Sequence, residues 1–262
     1  MKRLLILSIL TLSLSCSDND PELSKNPIDS QILIETRELL DRESRSLTFY
    51  CKTEKIYPCI NFPILTEKEV NENSFEVTFT GIGETMICFT APGPASTTVD
   101  LQTVQNGDYQ IELNNANLKN KGTLRLSETE IKLIFGQLNG IEIIRPTTKR
   151  VPQKTYWGTI GYHTSSSVTL VNEFLQKLRD KGAGFNKQTP GHYFYYEIDQ
   201  NGDIITNTEN SGYYFVKAFI FQFDGNESEL KDHISIDGKT YKADLSINVE
   251  TFRGERINNW SN

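Results

Sequence analysis

Apolar and polar residues alternate with a period of two along much of the chain between residues 46 and 146. Phe75, Val77 and Phe79 alternate with polar residues, and Ile111 and Leu113 do so in the same way. Successive side chains of a strand point to opposite faces, so this alternation predicts strands with one buried and one exposed face. We therefore predict a β-domain over residues 46–146.

Turn residues divide these predicted strands into short segments. Asn106-Gly107 and Asn139-Gly140 are predicted hairpin turns, because glycine adopts positive φ values without strain, and a third hairpin is predicted across residues 127–129. Short strands at this spacing predict an all-β sandwich of roughly seven to nine strands. The organisation resembles the immunoglobulin-like sandwiches common at the base of bacterial surface lipoproteins. This resemblance is one of architecture, without the Cys-Trp-Cys pattern of a true immunoglobulin domain.

A different pattern predicts an α+β domain over residues 156–262. Its clearest helix covers residues 168–181, where an apolar stripe at i, i+3, i+4 and i+7 is formed by Val171, Phe174, Leu175 and Leu178. Predicted strands cover residues 156–163, 192–199, 203–206, 213–223 and 241–250. Segment 213–223 is aromatic or apolar at most positions, which predicts a central strand covered on both faces. One helix on an antiparallel sheet resembles a cystatin-like roll, but the inhibitory loop of a cystatin is absent and no inhibitor function is implied.

Two connecting segments accompany these domains. Residues 16–45 are expected to form a polar tether with a short helix over residues 31–41. Residues 147–155 are expected to be a linker, because basic and proline residues interrupt the alternation there. An alternative for Lys149 and Arg150 is a protease-accessible basic loop.

Residues 1–15 have the pattern of a secretory signal peptide. A basic start precedes an apolar run over residues 4–14, which is too short to cross a hydrocarbon core of ~30 Å as a helix. The position of Cys16 directly after this segment resembles a bacterial lipoprotein signal, in which the cysteine becomes the acylated first residue of the mature chain. Ser13 stands where the usual motif has a large aliphatic residue, so a soluble secreted protein cleaved near Cys16 remains the alternative.

The residues after Cys16 extend this resemblance. Ser17-Asp18-Asn19-Asp20 is similar to the surface-export signal of lipoproteins in the Bacteroidetes group of bacteria. The resemblance implies an exported, surface-exposed outer-membrane lipoprotein. Its membrane partner would be reached through acyl chains, which anchor durably when several are present.

Charge narrows the classes of partner. Removal of residues 1–15 takes away Lys2 and Arg3 and no acidic residue, so the net charge falls from −7 to −9. Nucleic-acid binding requires clustered Lys and Arg to replace phosphate counterions, so it is disfavoured.

Three cysteines remain if Cys16 is acylated, and this odd number leaves one thiol over. Cys51 and Cys59 flank a possible turn at residues 57–58, so we favour a disulfide between them, with Cys88 as the alternative partner for either. Three cysteines and distant histidines do not supply the closed tetrahedral set of a zinc site. We therefore expect no bound metal.

No motif in the chain assembles a catalytic site. A hydrolase needs a nucleophile, a base and an orienting group together, and the serines beside His163 are better explained as helix caps: Ser165, Ser166 and Ser167. We expect a protein that is not an enzyme and that takes no cofactor.

Two acidic segments invite a calcium interpretation, but turn chemistry explains them more simply. Asp199, Asn201 and Asp203 surround Gly202 without the later glutamate of an EF-hand loop, so a hairpin tip is predicted. The same prediction is made for the segment Asp224-Gly225-Asn226-Glu227.

Aromatic residues supply the one feature that points to a ligand. Tyr193, Tyr195 and Tyr213 belong to an aromatic cluster, and such rings on an open sheet face would form a platform for a glycan. Strand alternation directs about half of these rings into the core. The leading hypothesis is a non-enzymatic binding or adhesion module for a glycan or a protein. The alternatives are a structural or assembly subunit of a surface appendage, and a hydrolase with an unrecognised site.

Overall fold

The computed structural model describes residues 25–42, 44–85, 87–102, 105–205 and 212–260. The predicted signal peptide and Cys16 lie outside these residues. The described chain is mainly β, as predicted, and forms an N-terminal β-sandwich followed by an α+β domain.

The sandwich contains the strands β1 (Lys25–Asn26), β2 (Ile32–Leu40), β3 (Arg45–Tyr57), β4 (Ile64–Asn71), β5 (Ser74–Gly83), β6 (Gly93–Asp100), β7 (Gly107–Asn115), β8 (Leu118–Leu126), β9 (Glu130–Phe135), β10 (Ile141–Ile143) and β11 (Thr147–Lys149). One sheet has the order β1-β5-β7-β8-β9-β11, with β4 also paired to β5, and the other has the order β10-β2-β3-β6. Alternate residues of both sheets, such as Phe79 and Phe49, are buried in one shared core. Burial of one face of each strand is therefore what holds the two sheets together.

The predicted helix over residues 31–41 is wrong, because this segment is β2. Its buried residues follow a period of two, at Ile32, Ile34, Thr36 and Glu38. β2 pairs with β3 along its whole length and with β10 in parallel. Pairing on both sides outweighs the weak helical spacing of its leucines and isoleucines.

Two of the three predicted hairpins in the sandwich are also wrong. Asn106-Gly107 connects β6 to β7, and Asn139-Gly140 connects β9 to β10, but each connection passes from one sheet to the other. The turn at residues 127–129 does join the antiparallel neighbours β8 and β9. The residues of a turn indicate where the chain reverses direction. They do not determine which strands then pair with each other.

The predicted linker over residues 147–155 contains a strand of the sandwich. β11 pairs with β9, Lys149 Nζ lies 2.7 Å from Glu130 Oε2, and the Arg150 main-chain amide donates to the carbonyl of Thr129 at 2.9 Å. The alternative of an accessible basic loop is wrong as well, because the side chain of Arg150 is only 16 % exposed. The sandwich therefore extends through Lys149.

The predicted disulfide between Cys51 and Cys59 is not formed. Cys59 pairs with Cys88, with 5.3 Å between their Cα atoms, and Cys51 is a free, buried thiol. β3 continues in extended form to Tyr57, so Cys51 lies about 20 Å before the end of the strand at ~3.3 Å per residue. Its side chain points into the core, out of reach of Cys59.

The α+β domain contains β12 (Thr155–Tyr162), α1 (Val168–Asp180), β13 (Gly191–His192), β14 (Glu197–Ile198), β15 (Ile204–Ile205), β16 (Phe215–Gln222), α2 (Glu227–Ser235), β17 (Leu245–Thr251) and β18 (Arg256–Asn258), with 3₁₀ turns at Ser165–Ser167 and Asp237–Tyr241. Its main sheet is antiparallel and has the order β16-β12-β17-β18, and a small second sheet has the order β13-β14-β15. The predicted stripe of α1 is buried in the core of this domain, at Val171, Phe174, Leu175 and Leu178.

Three expectations for this domain need correction. The segment around Asn226 caps a second helix and is not a hairpin tip, since the Asn226 side chain accepts a hydrogen bond from the Ser228 amide at 2.9 Å. β16 is an edge strand of its sheet, and β12 and β17 are central. The last long strand begins at Leu245, after a 3₁₀ turn that occupies part of its predicted range. Neither α-helix, nor any other helix of the described residues, has the length and apolar content needed to span a membrane.

Candidate ligand-binding site

The three tyrosines predicted to form a platform do not lie together. Tyr193 is buried, its ring 4.8 Å from that of Tyr196, and its hydroxyl donates to the Thr189 carbonyl at 2.9 Å. Burial raises the pKa of this hydroxyl. Tyr193 is therefore a core residue, and the prediction that it contributes to a platform is wrong.

The side chain of Tyr195 makes hydrogen bonds at the contact between the two domains. Its hydroxyl donates to the Glu38 carbonyl at 3.0 Å and accepts from the Leu40 amide at 3.2 Å. Its ring packs 5.6 Å from that of Trp157. Tyr195 fastens β2 to the second domain and is not part of an open platform.

Tyr213 does lie in an exposed aromatic group. The ring of His163 is 5.0 Å from the ring of Tyr213 and 5.7 Å from that of Tyr214, which is 84 % exposed. The rings of Tyr162 and Phe215, at the ends of the two paired strands, stack on each other at 5.3 Å, and Tyr162 packs against the core. We call His163, Tyr213 and Tyr214 the aromatic patch.

The register of the sheet brings this patch together. β12 ends and β16 begins at the directly opposed pair Tyr162 and Phe215, so the residues just beyond both strand ends become neighbours. Gly161 provides the seat for Tyr213, because a Cβ atom at this position would lie 2.4 Å from Cδ2 of the Tyr213 ring. The close approach of ring and backbone requires glycine here.

Hydroxyl groups border the patch on the segment that follows His163. Thr164 Oγ1 lies 3.1 Å from Ser166 Oγ and 2.8 Å from Ser167 Oγ, and Thr164, Ser165 and Ser166 are exposed. The prediction that these serines cap α1 is wrong, since Ser167 at the N-cap makes no side-chain capping bond. Exposed rings next to hydroxyls can stack on an apolar sugar face and hydrogen-bond its polar edge.

A separate polar cluster joins the two domains. Glu38 is buried and pairs with Arg150 Nη2 at 2.7 Å and with Arg45 Nη1 at 3.4 Å. Arg45 also donates to the carbonyls of Val151 at 2.6 Å and Phe252 at 3.3 Å, and burial lowers its pKa. We call Glu38, Arg45, Arg150 and Tyr195 the junction cluster. Its charged groups are all bonded within the protein, which indicates a structural role.

The arrangement nearest to a hydrolase site is a histidine–carboxylate pair at the end of α2. His233 Nδ1 lies 2.8 Å from Asp237 Oδ2, and this hydrogen bond holds the pKa of Asp237 below its usual value. The Thr240 hydroxyl, which lines the same cleft, donates to the Asp237 carbonyl at 2.7 Å and is not directed at His233. The other face of the His233 ring stacks on Phe174 in the core. The pair lacks an assembled nucleophile among the described residues.

The turn at Gly202 is a hairpin tip, as predicted. One carboxylate oxygen of Asp199 accepts from the amides of Asn201 at 2.9 Å and Asp203 at 2.8 Å, and β14 pairs with β15 across this turn. The hydrogen bond from the Asp203 amide is the largest cause of a lowered pKa at Asp199. Over the described residues, no group of three or more His, Cys, Asp or Glu side chains is arranged to hold a metal ion.

Sequence reasoning missed His163 and Tyr214 as members of the patch. Both lie within predicted strands, but each is one residue beyond the observed strand, and alternation within one strand does not reveal which residue of another strand lies beside it. The pairing of β12 with β16 is the signal that would have placed them. No protein-family model, curated protein or solved structure matches this chain.

Proposed function

We propose that this chain is a non-enzymatic, surface-exposed outer-membrane lipoprotein, acylated at Cys16, that binds a carbohydrate through the aromatic patch. The observation that carries the proposal is the exposure of Tyr213 and Tyr214 beside His163 and a border of hydroxyls. Large rings are normally withdrawn from water, so a group of them at one surface favours a binding role.

The chemistry of the patch favours a neutral sugar over an anionic one. Tyrosine rings stack on the C–H faces of pyranoses, and the hydroxyls of Thr164, Ser165 and Ser166 are both donors and acceptors. The chain has a net charge of −7, and no lysine or arginine belongs to the patch. An acidic protein repels polyanions, which also argues against a nucleic-acid partner.

Removal of one ring tests the proposal. Glycans that bind the wild-type protein on an array should bind Tyr214→Ala about tenfold more weakly by calorimetry, a loss of about 1.4 kcal/mol that is typical for a stacked ring. Tyr214 is so exposed that its removal should leave the unfolding transition unchanged. The matched control is Phe89→Ala, an exposed ring of the sandwich, which should bind normally. Equal affinities for all three proteins would remove the patch from consideration.

The anchor is tested separately from the ligand. Metabolic labelling with a palmitate analogue should mark the wild-type chain and spare Cys16→Ala. The variant should leave the membrane fraction without detergent. If extraction is the same for both chains, the lipoprotein part of the proposal is wrong and the soluble secreted alternative stands.

One observation favours a second candidate, a structural or assembly subunit of a surface appendage. Within the part of the chain that the structure describes, β1 is an edge strand that pairs with β5 at Lys25 with Gly83 and at Asn26 with Ile82. A strand at the edge of a sheet could be replaced by a strand of another subunit, which is how β-augmentation builds chains. Ladders of oligomers from the wild-type protein, and their loss on deletion of residues 25–26, would favour this candidate over a glycan-binding module.

A further inference from the structure

The end of the sandwich opposite the second domain is formed by two loops that are fastened together. The disulfide between Cys59 and Cys88 joins the loop after β3 to the loop after β5. The side-chain amide of Asn61 donates to the Ile87 carbonyl at 2.6 Å and accepts from the Phe89 amide at 3.1 Å. These bonds hold the backbone of both loops in place.

Three large apolar side chains on these loops, Ile60, Ile87 and Phe89, are exposed to solvent, as is Ile56 near the end of β3. Ile87 is 70 % exposed, Phe89 60 %, Ile56 59 % and Ile60 47 %. We call these four residues and the disulfide the apolar tip. Single exposed apolar residues are ordinary, but three on one disulfide-linked pair of loops, with Ile56 on the strand that leads into them, favour a contact surface.

The chain enters the sandwich beside this tip. Lys25 pairs with Gly83, directly before the loop that carries Ile87 and Phe89. Pro27 and Asp29 line a cleft of about 560 Å³ together with Cys59 and Cys88. Cys16 precedes Lys25 by nine residues in the sequence, which span at most about 30 Å when fully extended. An anchor at Cys16 therefore keeps Lys25, which enters the sandwich beside the apolar tip, within about 30 Å of the membrane.

β3 places the second domain at the other end of the sandwich. Arg45, its first residue, belongs to the junction cluster, and Tyr57, its last, lies beside the apolar tip. At ~3.3 Å per residue these ends are about 40 Å apart. The tip thus faces the anchored side of the molecule, and the aromatic patch lies on the domain that is held away from it.

We propose that the apolar tip rests in the surface of the bilayer to which Cys16 is anchored, with Ile56, Ile60, Ile87 and Phe89 among the lipid headgroups and upper acyl chains. The inference rests on the lipid-anchor part of the proposed function and does not depend on the glycan. The contact is apolar in nature, because Lys55 at the adjacent cleft is already paired with Asp29 at 2.6 Å. A neutral bilayer is therefore sufficient.

A tryptophan reporter tests this contact in the lipidated protein. Phe89→Trp and the matched control Tyr214→Trp are reconstituted in phosphatidylcholine vesicles with and without brominated acyl chains, and the signal of the wild-type tryptophans is subtracted. Bromolipid should quench the Phe89→Trp signal roughly twofold, since an interfacial side chain reaches ~5–10 Å into the bilayer. The Tyr214→Trp signal should not change. Equal quenching of the two reporters overturns the proposal.

A second variant and a second way of attaching the lipid distinguish a failure of the apolar-tip proposal from a failure of the lipid-anchor proposal. Ile87→Asn in the Phe89→Trp background should abolish the quenching without lowering the unfolding midpoint, since the side chain is exposed. If Cys16 proves not to be acylated, a maleimide lipid attached to its thiol supplies the tether, because Cys51 is buried and Cys59 is paired with Cys88. Quenching in that sample would support membrane contact by the apolar tip even though Cys16 is not acylated natively. No quenching in that sample would reject membrane contact by the apolar tip as well.

Discussion

Glu35 shows how single residues at the domain contact depend on charge. Its carboxylate lies 2.8 Å from Arg145, 3.4 Å from His192 Nε2 and 3.7 Å from Arg37. The contact with His192 is the largest cause of a pKa below the usual value, and Arg145 and Arg37 add to it against the opposing effect of burial. Because the folded pKa is below the unfolded value of 4.5, the ionised group stabilises the fold above about pH 4.5.

The lowered pKa of Glu35 predicts how the stability of the Glu35→Gln variant depends on pH. The contribution of the carboxylate is complete above pH 4.5 and is lost as the pH falls through the lower folded pKa. Urea unfolding should therefore show a large stability difference between wild type and Glu35→Gln at pH 7, and a much smaller one at pH 3. The exposed Glu67→Gln serves as the control and should differ little from wild type at either pH. A difference for Glu35→Gln that does not change with pH would contradict this account.

At the scale of elements, the disulfide joins the loop after β3 to the loop after β5 and includes no residue of β3. The bond closes a loop with a sequence separation of 29, and Cys51 stays buried on β3 as an unpaired thiol. Burial raises the pKa of that thiol, so it is protonated and unreactive in the folded protein.

The pairing predicts how stability responds to reductant. Closing a loop of this length stabilises a fold by about 3–4 kcal/mol on the chain-entropy account. Reductant should lower the free energy of unfolding of the wild type and of Cys51→Ala by similar amounts. The double variant Cys59→Ala, Cys88→Ala should start at the lower stability and not respond. If Cys51→Ala instead removes the response, the pairing is different from the one described.

Elements with a strong amphipathic pattern could be predicted from the sequence, and their partners could not. The predictions of β5 from its alternation and of α1 from its apolar stripe are confirmed, because each element buries one face and that face determines its local structure. β2 was mistaken for a helix because its neighbours β3 and β10, and not its own residues, impose the extended form. The sequence predicts all three tyrosines at the platform, but Tyr193 and Tyr195 lie elsewhere, because periodicity does not reveal which hydroxyls find buried partners.

The whole molecule is held as one unit by the junction cluster. Glu38 of the sandwich pairs with both Arg45 and Arg150, Arg45 donates to the main-chain carbonyls of Val151 before β12 and Phe252 after β17, and Arg42 pairs with Glu255. Removing one member of a buried ion pair costs about 3 kcal/mol, because the partner charge stays buried without compensation. The orientation of the two domains therefore depends on Glu38.

Proteolysis can check this dependence. Trypsin should not cut after Arg150 in the folded wild type, because that residue is bonded to Thr129, Glu38 and Asn106. Glu38→Gln should open the site and raise the rate of cleavage there at least about tenfold, since cleavage follows the population of the open form. Cleavage at the exposed Lys239 should be equally fast in both proteins. Unchanged protection of Arg150 in Glu38→Gln would show that the junction does not rely on this carboxylate.

The length and position of β3 also determine how the molecule would respond to being pulled. Tension between a held apolar tip and a ligand on the far domain would act along β3, which runs from one end of the sandwich to the other. Hydrogen bonds between antiparallel strands lie across the strand direction. The bonds from β3 to β2 and to β6 would then share that tension in shear, instead of opening singly from one end. The resistance of the molecule to such pulling would thus depend on where β3 begins and ends.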